Sequence, residues 1–225
     1  MIQCDYLIIG AGIIGLSIAK SIKQKLPDAS IIIIEKEDHV AQHASGRNSG
    51  VLHAGFYYTA DSLKAKFTKE GNALLTQYCL DNKLAINQCG KVIVASNQKE
   101  LEGLEELKRR GERNAVELHW LSQEELHQKY PDIKTHQKAL YSPSTSTVNP
   151  KEVCEAIYKD LLASNVQVKL NTSYIKRVNS TTVQTSNEII QYSKVINCAG
   201  LYADKIAQDF SCAKNFTIIP FKGIY

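Results

Sequence analysis

The sequence predicts an α/β fold built on a parallel sheet, and the pattern near its N-terminus carries this prediction. An apolar run leads into a turn that contains Gly10, Gly12 and Gly15, and a second run, Ile31–Ile34, ends at Glu35. The first glycine permits a tight turn, the second lets the backbone approach a pyrophosphate, and the third lets the next helix lie close to the strand. This order predicts a strand–helix–strand unit of the Rossmann type that binds a dinucleotide.

The first unit takes a strand at 4–9, a helix at 13–25 and a strand at 30–35. The amides and dipole at the start of the helix would hold phosphate charge, and the Glu35 carboxylate can accept both ribose hydroxyls. The alternative is a glycine-bearing turn in an ordinary buried unit of the same kind.

Apolar periodicity predicts the remaining elements. Helices are expected at 62–81, 100–114, 122–129, 150–163 and 201–209. Strands or extended segments are expected at 91–94, 139–141, 166–170, 174–178, 182–185, 194–198 and 217–220. Ser122 followed by Glu125 is the capping-box pattern at the start of the helix at 122–129.

A simple NAD domain would continue the strand–helix alternation, but here an insertion interrupts it from about residue 56 to 145. This layout is typical of a flavin-binding domain whose chain leaves to build a substrate cap and then returns. We therefore expect an FAD-binding Rossmann-type domain at 1–55 and 146–212, and a partial substrate cap at 56–145 and 213–225.

Composition excludes several classes of function. The 225 residues carry a formal charge of only +4, and the short basic run Lys108–Arg110 is expected on a solvated helix face, so no nucleic-acid partner is expected. No apolar run reaches the roughly 18 residues needed to cross a bilayer, and no signal-peptide pattern precedes the first strand. The six cysteines lack a CxxC pair, which favours reduced thiols in a cytoplasmic chain without a metal site, with Cys4 and Cys198 in the core.

The segment after Glu35 favours close approach of a large flat ligand, because small residues dominate Ala44–Gly50. Ser45, Asn48 and Ser49 offer donors for phosphates or a ring edge. Arg47 either neutralises phosphate charge or is a surface residue.

The chain resembles the FAD-dependent oxidoreductases of the D-amino-acid-oxidase superfamily, and specifically the L-2-hydroxyglutarate oxidase/dehydrogenase family. The matching stretches lie in family order at 43–58, 62–66, 88–91, 197–204 and 220–223. The resemblance implies a GR2-like flavoprotein fold with an α+β substrate-cap insertion, and FAD as the cofactor. It implies a cofactor site made of Gly10, Gly12, Ile14, Gly15, Glu35, Lys36, Ser45, Arg47, Asn48, Ser49, Gly50, Ile175, Ala199 and Gly200.

Some implied roles have structural alternatives. Ile175 either presents its backbone to the adenine edge or is a plain core residue of a strand. Asp204 either caps the helix that follows, which we favour, or touches the cofactor indirectly.

Oxidation of a 2-hydroxy acid needs a base for the hydroxyl proton and cations for the carboxylates. His53 is the candidate base; otherwise it packs against the flavin ring. Tyr57, Tyr58 and Lys64 are candidates for binding a substrate carboxylate; otherwise they belong to the first cap helix.

The resemblance implies oxidation of L-2-hydroxyglutarate to 2-oxoglutarate, with electrons passing to oxygen, a quinone or another respiratory-chain acceptor. The alternatives are an amine or amino-acid oxidase of the same superfamily, or an inactive FAD-binding fragment. We expect a cytoplasmic location; a quinone acceptor would imply peripheral association with the inner face of the membrane.

Members of the family continue past the motif at 220–223, so a C-terminally truncated chain is expected: a truncated reading frame, half of a split protein or an artificially cut chain. A missing C-terminal half would leave strand edges unpaired and an apolar face uncovered. We therefore expect the isolated chain to be unstable, or to bind FAD weakly and turn over little.

Overall fold

The computed structural model describes residues 1–221 and residue 223. These residues form two compact units: unit 1 is Met1–Asn48 with Pro150–Tyr225, and unit 2 is Ser49–Asn149. The boundaries thus differ from the expected ones. Residues 49–55 and 146–149 lie in unit 2 instead of the FAD-binding part, and 213–221 cluster with unit 1 instead of the cap. The motif at 220–223 includes Lys222, which lies outside the described residues.

In chain order the strands are β1 (Ile2–Ile9), β2 (Ile31–Ile34), β3 (Val51–Leu52), β4 (Ile86–Asn87), β5 (Lys91–Ile93), β6 (His119–Ser122), β7 (Lys138–Ser142), β8 (Ser146–Val148), β9 (Gln167–Lys169), β10 (Tyr174–Asn179), β11 (Thr182–Thr185) and β12 (Ile189–Asn197). The helices are α1 (Ile13–Lys25), α2 (Leu63–Asp81), α3 (Gln98–Arg113), α4 (Gln123–Lys129), α5 (Pro150–Ala163) and α6 (Ala203–Asp209), with 3-10 turns at Ala44–Gly46 and Gly200–Tyr202.

Unit 1 contains a sheet in the order β10-β11-β12-β1-β2-β9. The four strands from β12 to β9 are parallel, whereas β10, β11 and β12 pair antiparallel. All four residues of β2 are buried isoleucines, the continuous apolar pattern of a strand covered on both faces. Since β1 lies between β2 and β12, the carboxyl ends of these three strands meet at one edge, where open α/β sheets bind ligands.

Helices cover the sheet of unit 1. Helix α1 buries Gly15, Leu16 and Ala19 and places basic residues in its last turn, where they complement the helix dipole. It packs beside α5, and the Lys20 ammonium lies 2.6 Å from the Asp160 carboxylate between the two helices.

Unit 2 contains two small antiparallel sheets, ordered β3-β8-β4 and β5-β7-β6. Phe56 is only 1% exposed and packs in a cluster with Leu118 and Leu140. The capping box of Ser122 and Glu125 at the start of α4 is confirmed.

Several local expectations were wrong. Strand β12 begins at Ile189 instead of 194, because its first half pairs with β11, and β3, β4, β6 and β8 were not predicted. The segment 217–220 was expected to be extended, and the structure assigns it neither a helix nor a strand. Among the described residues, no helix combines the length and apolar character needed to cross a membrane.

Candidate functional site

A cavity of about 840 Å³ lies in unit 1 at the carboxyl ends of β1, β2 and β12. Its volume is within the range of small-molecule and cofactor sites. Residues from the glycine turn, the segment after β2, the segment before and within β10, and the segment after β12 line it.

The glycine turn has the geometry that the fingerprint requires. Gly10 has a φ of +107°, and a Cβ there would lie 2.5 Å from the Cys198 carbonyl oxygen. A Cβ at Gly15 would collide with the Gly10 carbonyl oxygen, so only glycine lets α1 lie this close to the turn. Gly12 and Gly10 line the cavity, whereas Gly15 supports the turn from behind.

The first turn of α1 is suited to an anion. Its N-cap is Gly12, which has no side chain to cap the helix, and its first turn contains no acidic residue. The Ser45 hydroxyl instead accepts the Ile13 N–H at 3.0 Å and lines the cavity. A helix N-terminus that faces a cavity in this way is a binding site for phosphate.

The Glu35 carboxylate is held in place by the backbone on both sides. One oxygen accepts the Ala11 N–H at 2.8 Å and the other accepts the Glu37 N–H at 3.1 Å. Each oxygen has a second lone pair, so the carboxylate can still accept hydroxyl protons from a ribose in the cavity.

Charged side chains surround the segment after Glu35. The Lys36 ammonium lies 4.5 Å from the centre of the Tyr202 ring and 3.1 Å from the Glu37 carboxylate. The hydrogen bond from His43, and then that from Lys36, lower the pKa of Glu37. The lysine and the tyrosine ring both line the cavity and give it one wall that is flat and cationic.

The part of the cavity that β10 and α6 line was only partly predicted. Ile175 lies where the pairing of β10 with β11 shifts register. The residue is 53% exposed, and it lines the cavity. Beside it, the Tyr174 hydroxyl donates to the Asp209 carboxylate, and the backbone N–H of Arg177 donates to the same carboxylate at 2.7 Å. Burial, and then the bond to Asp209, raise the pKa of Tyr174, so its hydroxyl stays a donor.

Sequence reasoning missed a row of lining residues around α6. Tyr202, Lys205, Ile206 and Asp209 all line the cavity at the i, i+3, i+4, i+7 spacing of one helix face. This spacing can be read from the sequence, and it could have indicated that these four residues share one face of a helix. Cys198 also lines the cavity and is half-buried, so the expectation that it fills the core was wrong, whereas Cys4 is buried as expected.

The predicted cofactor residues divide into three groups. The structure brings most of them together around the cavity: Gly10, Gly12, Ile14, Glu35, Lys36, Ser45, Asn48, Ile175, Ala199 and Gly200. Gly15 and Arg47 are not among the described residues that line the cavity; Gly15 is buried and Arg47 is exposed. Ser49 and Gly50 belong to unit 2.

The side chains of Asn48 and Asp204 make hydrogen bonds to the backbone within unit 1. The Asn48 amide nitrogen donates to the carbonyls of Ala44 and Ser45 and so holds the turn that carries Ser45. Asp204 was expected to cap the helix, but α6 begins before it. Its buried carboxylate instead accepts the N–H groups of Lys205, at 2.8 Å, and Ile218, at 3.1 Å.

The predicted substrate residues all lie in unit 2. Burial of the imidazole, and then the charge of Lys91, lower the pKa of His53, although part of the side chain stays exposed. The Lys91 ammonium lies 4.7 Å from the centre of the Tyr57 ring, and the Lys64 ammonium lies 4.5 Å from that of Tyr58. Lys91 was not predicted as a site residue, although it ends the family stretch at 88–91.

The residues around the cavity fit FAD. A Cβ would fill the cradle at Gly12, a helix N-terminus faces the same space, and a carboxylate stands at the expected ribose position. Ile14 is 62% exposed and adds an apolar surface to the cavity in the first turn of α1.

Comparison with known proteins agrees with this fit. The family model described as FAD dependent oxidoreductase (DAO) matches residues 5–225. L-2-hydroxyglutarate dehydrogenase of Escherichia coli O17:K52:H18 is 36% identical, and the match covers 98% of this chain and 53% of that protein. The mitochondrial L-2-hydroxyglutarate dehydrogenase of Homo sapiens is 35% identical, with 98% of this chain and 51% of that protein covered.

Among solved structures, that of L-α-glycerophosphate oxidase from Mycoplasma pneumoniae with FAD bound superposes with a TM-score of 0.83 at 30% identity. The match covers 93% of this chain and 57% of that one. The chain spans about half the length of the curated relatives it matches. Because the family model covers nearly every residue, the chain belongs to the DAO family of FAD-dependent oxidoreductases.

Proposed function

We propose that this chain takes part in the FAD-dependent oxidation of L-2-hydroxyglutarate to 2-oxoglutarate. The observation that carries the proposal is the similarity, over 98% of the chain, to proteins named L-2-hydroxyglutarate dehydrogenase. The cavity in unit 1 and the basic and aromatic groups of unit 2 support it chemically.

The residues of unit 1 that would hold FAD are those around the glycine turn and Glu35. The N–H groups at the start of α1 and the Ser45 hydroxyl would face the pyrophosphate, and Glu35 would accept ribose hydroxyls. When bound, FAD supplies the two-electron acceptor that oxidation of an alcohol carbon requires.

His53 is proposed as the base that accepts the substrate hydroxyl proton at an imidazole nitrogen. A base must be unprotonated to act, and both causes of its lowered pKa favour the neutral imidazole at pH 7. Lys91 contributes one of these causes.

Tyr57, Tyr58 and Lys64 are proposed to bind the substrate carboxylates, with Lys91 as an additional cation. 2-Hydroxyglutarate carries two carboxylates, and unit 2 offers two ammonium groups, each next to a tyrosine ring. Ammonium and phenol groups both donate hydrogen bonds to carboxylates.

The electron acceptor is proposed to be a quinone of a respiratory chain or oxygen. We propose a cytoplasmic location, with peripheral association with the inner face of the membrane for the quinone case. Formation of hydrogen peroxide during turnover would identify oxygen, and reduction of a soluble quinone analogue without peroxide would identify a quinone.

The test is the visible spectrum of the purified chain with FAD, before and after anaerobic addition of L-2-hydroxyglutarate. Bleaching of the flavin band is expected once the C-terminal half of a relative is also present, and His53→Gln should then bleach much more slowly at equal FAD content. Bleaching by glycine, sarcosine or an L-amino acid, and not by L-2-hydroxyglutarate, would favour an amine or amino-acid oxidase.

Because the relatives are about twice as long, the measurement is run on the chain alone and on the chain co-expressed with the C-terminal half of a relative. Flavin binding without bleaching in the chain alone, followed by bleaching after co-expression, would assign it cofactor binding and part of the site. Absence of bleaching in both preparations would refute the proposed oxidation.

A further inference from the structure

Residues 55–58 of unit 2, named the tyrosine loop below, carry Tyr57 and Tyr58. Two side chains at the end of α3 hold their backbone carbonyls. The Asn114 amide nitrogen donates to the carbonyl oxygens of Gly55, at 3.2 Å, and Tyr58, at 3.0 Å. The Arg110 guanidinium donates to the carbonyl oxygen of Tyr57 at 3.2 Å. Three carbonyls of one short loop are thus bound by side chains more than 50 residues away in sequence.

These donors are themselves oriented by their surroundings. The backbone N–H of Asn114 donates to the backbone carbonyl of Arg110 at 2.9 Å, and this bond forms the last turn of α3. The Arg110 Nε donates to Glu106 at 2.9 Å, one turn earlier. The basic run Lys108–Arg110 was expected on a solvated face, but Arg110 faces the tyrosine loop.

The side chains of the tyrosine loop are ordered on their other side. Phe56 is buried in the core of unit 2, and its ring centre lies 4.3 Å from that of Tyr57. With the carbonyls bound and Phe56 buried, each tyrosine ring is left next to one ammonium group, Lys91 for Tyr57 and Lys64 for Tyr58.

We propose that Arg110 and Asn114 are positioning residues for a dicarboxylate substrate. They act through the tyrosine loop, whose two lysine–tyrosine pairs bind the carboxylates. The inference rests on the proposed function and deepens it, because it assigns the spacing of the carboxylate-binding groups to the end of α3. A loop free to move would lose this spacing, and a preorganised site binds more tightly than a mobile one.

Two pairs of variants test the inference. Asn114→Asp keeps the shape of the side chain but removes its N–H donors. Asn82→Asp makes the same change at the end of α2, where the amide nitrogen donates to the Tyr78 carbonyl of its own helix. Arg110→Ala and Arg109→Ala each remove a cation bound to Glu106, but only Arg110 also binds the loop.

The first readout is hydrogen exchange of the amides at 55–59, which needs neither FAD nor activity. Asn114→Asp and Arg110→Ala should speed exchange roughly tenfold, since loss of one or two hydrogen bonds at about 1 kcal/mol each favours opening by that factor. Exchange in the two control variants should match the wild type.

The second readout is binding of L-2-hydroxyglutarate and 2-oxoglutarate by calorimetry, with KM and kcat where turnover is measurable. The dissociation constants and KM should rise by about tenfold while kcat and FAD content stay near wild type, because only binding is weakened. Unchanged exchange in both loop variants would overturn the inference. Faster exchange with unchanged dicarboxylate binding would also overturn it.

Measurements on the wild-type chain distinguish failure of the proposed function from failure of this inference. If the wild-type chain, alone and with the C-terminal half of a relative, neither binds nor oxidises the dicarboxylate, that function is refuted, and the substrate role of the loop with it. The exchange data would still decide whether α3 holds the loop.

Discussion

Substitution of Gly12 by alanine separates the fold of the glycine turn from its use as a cofactor cradle. A Cβ at this position would lie 2.9 Å from the Ser45 hydroxyl oxygen and 3.9 Å from the Ser45 Cβ. The φ of Gly12 is −78°, which alanine adopts without strain. Within the described residues, the conflict is therefore with the Ser45 hydroxyl.

The magnitude follows from the bond that this hydroxyl makes. Moving it aside breaks its bond to the Ile13 N–H, which costs about 1 kcal/mol. Ser45→Ala removes the same bond at about the same cost. The double variant should then be less destabilised than the sum of the two single variants by about 1 kcal/mol, because the bond can be lost only once.

Cofactor binding should behave differently from stability. The added Cβ would remain in the space where a pyrophosphate approaches, whether or not Ser45 keeps its hydroxyl. Overpacking of about 1–3 kcal/mol would weaken FAD binding by about 5- to 150-fold in both Gly12→Ala and the double variant. Ser45→Ala alone should weaken it less.

The assays are urea unfolding for the free energy and flavin-fluorescence titration for the dissociation constant. Strictly additive destabilisation would show that the Cβ does not displace Ser45. Recovery of FAD affinity in the double variant to the level of Ser45→Ala would refute the assignment of this turn to the pyrophosphate.

Three further outcomes are expected. Glu35→Gln should destabilise unit 1 by about 1–2 kcal/mol and weaken FAD binding, because the amide keeps one acceptor oxygen for one backbone N–H and turns an NH2 donor toward the other; urea unfolding and titration check this, and unchanged values would contradict it. The acid limb of the kcat/KM profile should lie below the ordinary pKa of histidine, because burial and then the charge of Lys91 lower the pKa of His53. In Lys91→Met the limb should move to higher pH, since the second of these causes is removed; an unmoved limb would show that another group titrates. Iodoacetamide at pH 8 should label the exposed Cys89 and spare Cys4, because burial raises the pKa of the Cys4 thiol to about 11. Mass spectrometry with and without urea tests this, and equal labelling of both thiols in the folded chain would contradict the burial of Cys4.

The half of the cavity made by the first strand–helix–strand unit could be predicted from the sequence. Gly10, Gly12 and Glu35 lie within one local pattern, and each residue type has a geometric reason that holds without knowledge of the rest of the fold. The bounds of α1 and the end of β1 were predicted correctly for the same reason, whereas β1 begins two residues before the expected start and β2 is shorter by one residue at each end.

The other half could not be predicted in detail, because its residues meet only through the sheet order. Asp209 reaches Tyr174 because α6 follows β12 while β10 lies two strands away, and no sequence spacing encodes that neighbourhood. The contact of Arg110 with the carbonyl of Tyr57 is similarly long-range, and a basic helix face looks solvated until its partner loop is known.

The placement of β1 also sets the order in which this protein forms during its synthesis. Ile2 pairs with Ile190 on one side, so β1 completes its pairing only after β12 has been synthesised. At about 5–20 residues per second, that wait is roughly 10–40 s. Ser49–Asn149 is contiguous and emerges complete in the meantime, so we expect unit 2 to fold before the sheet of unit 1 closes. The edge of β1 that later pairs with β12 is thus the unpaired strand edge that cellular chaperones would encounter on the nascent chain.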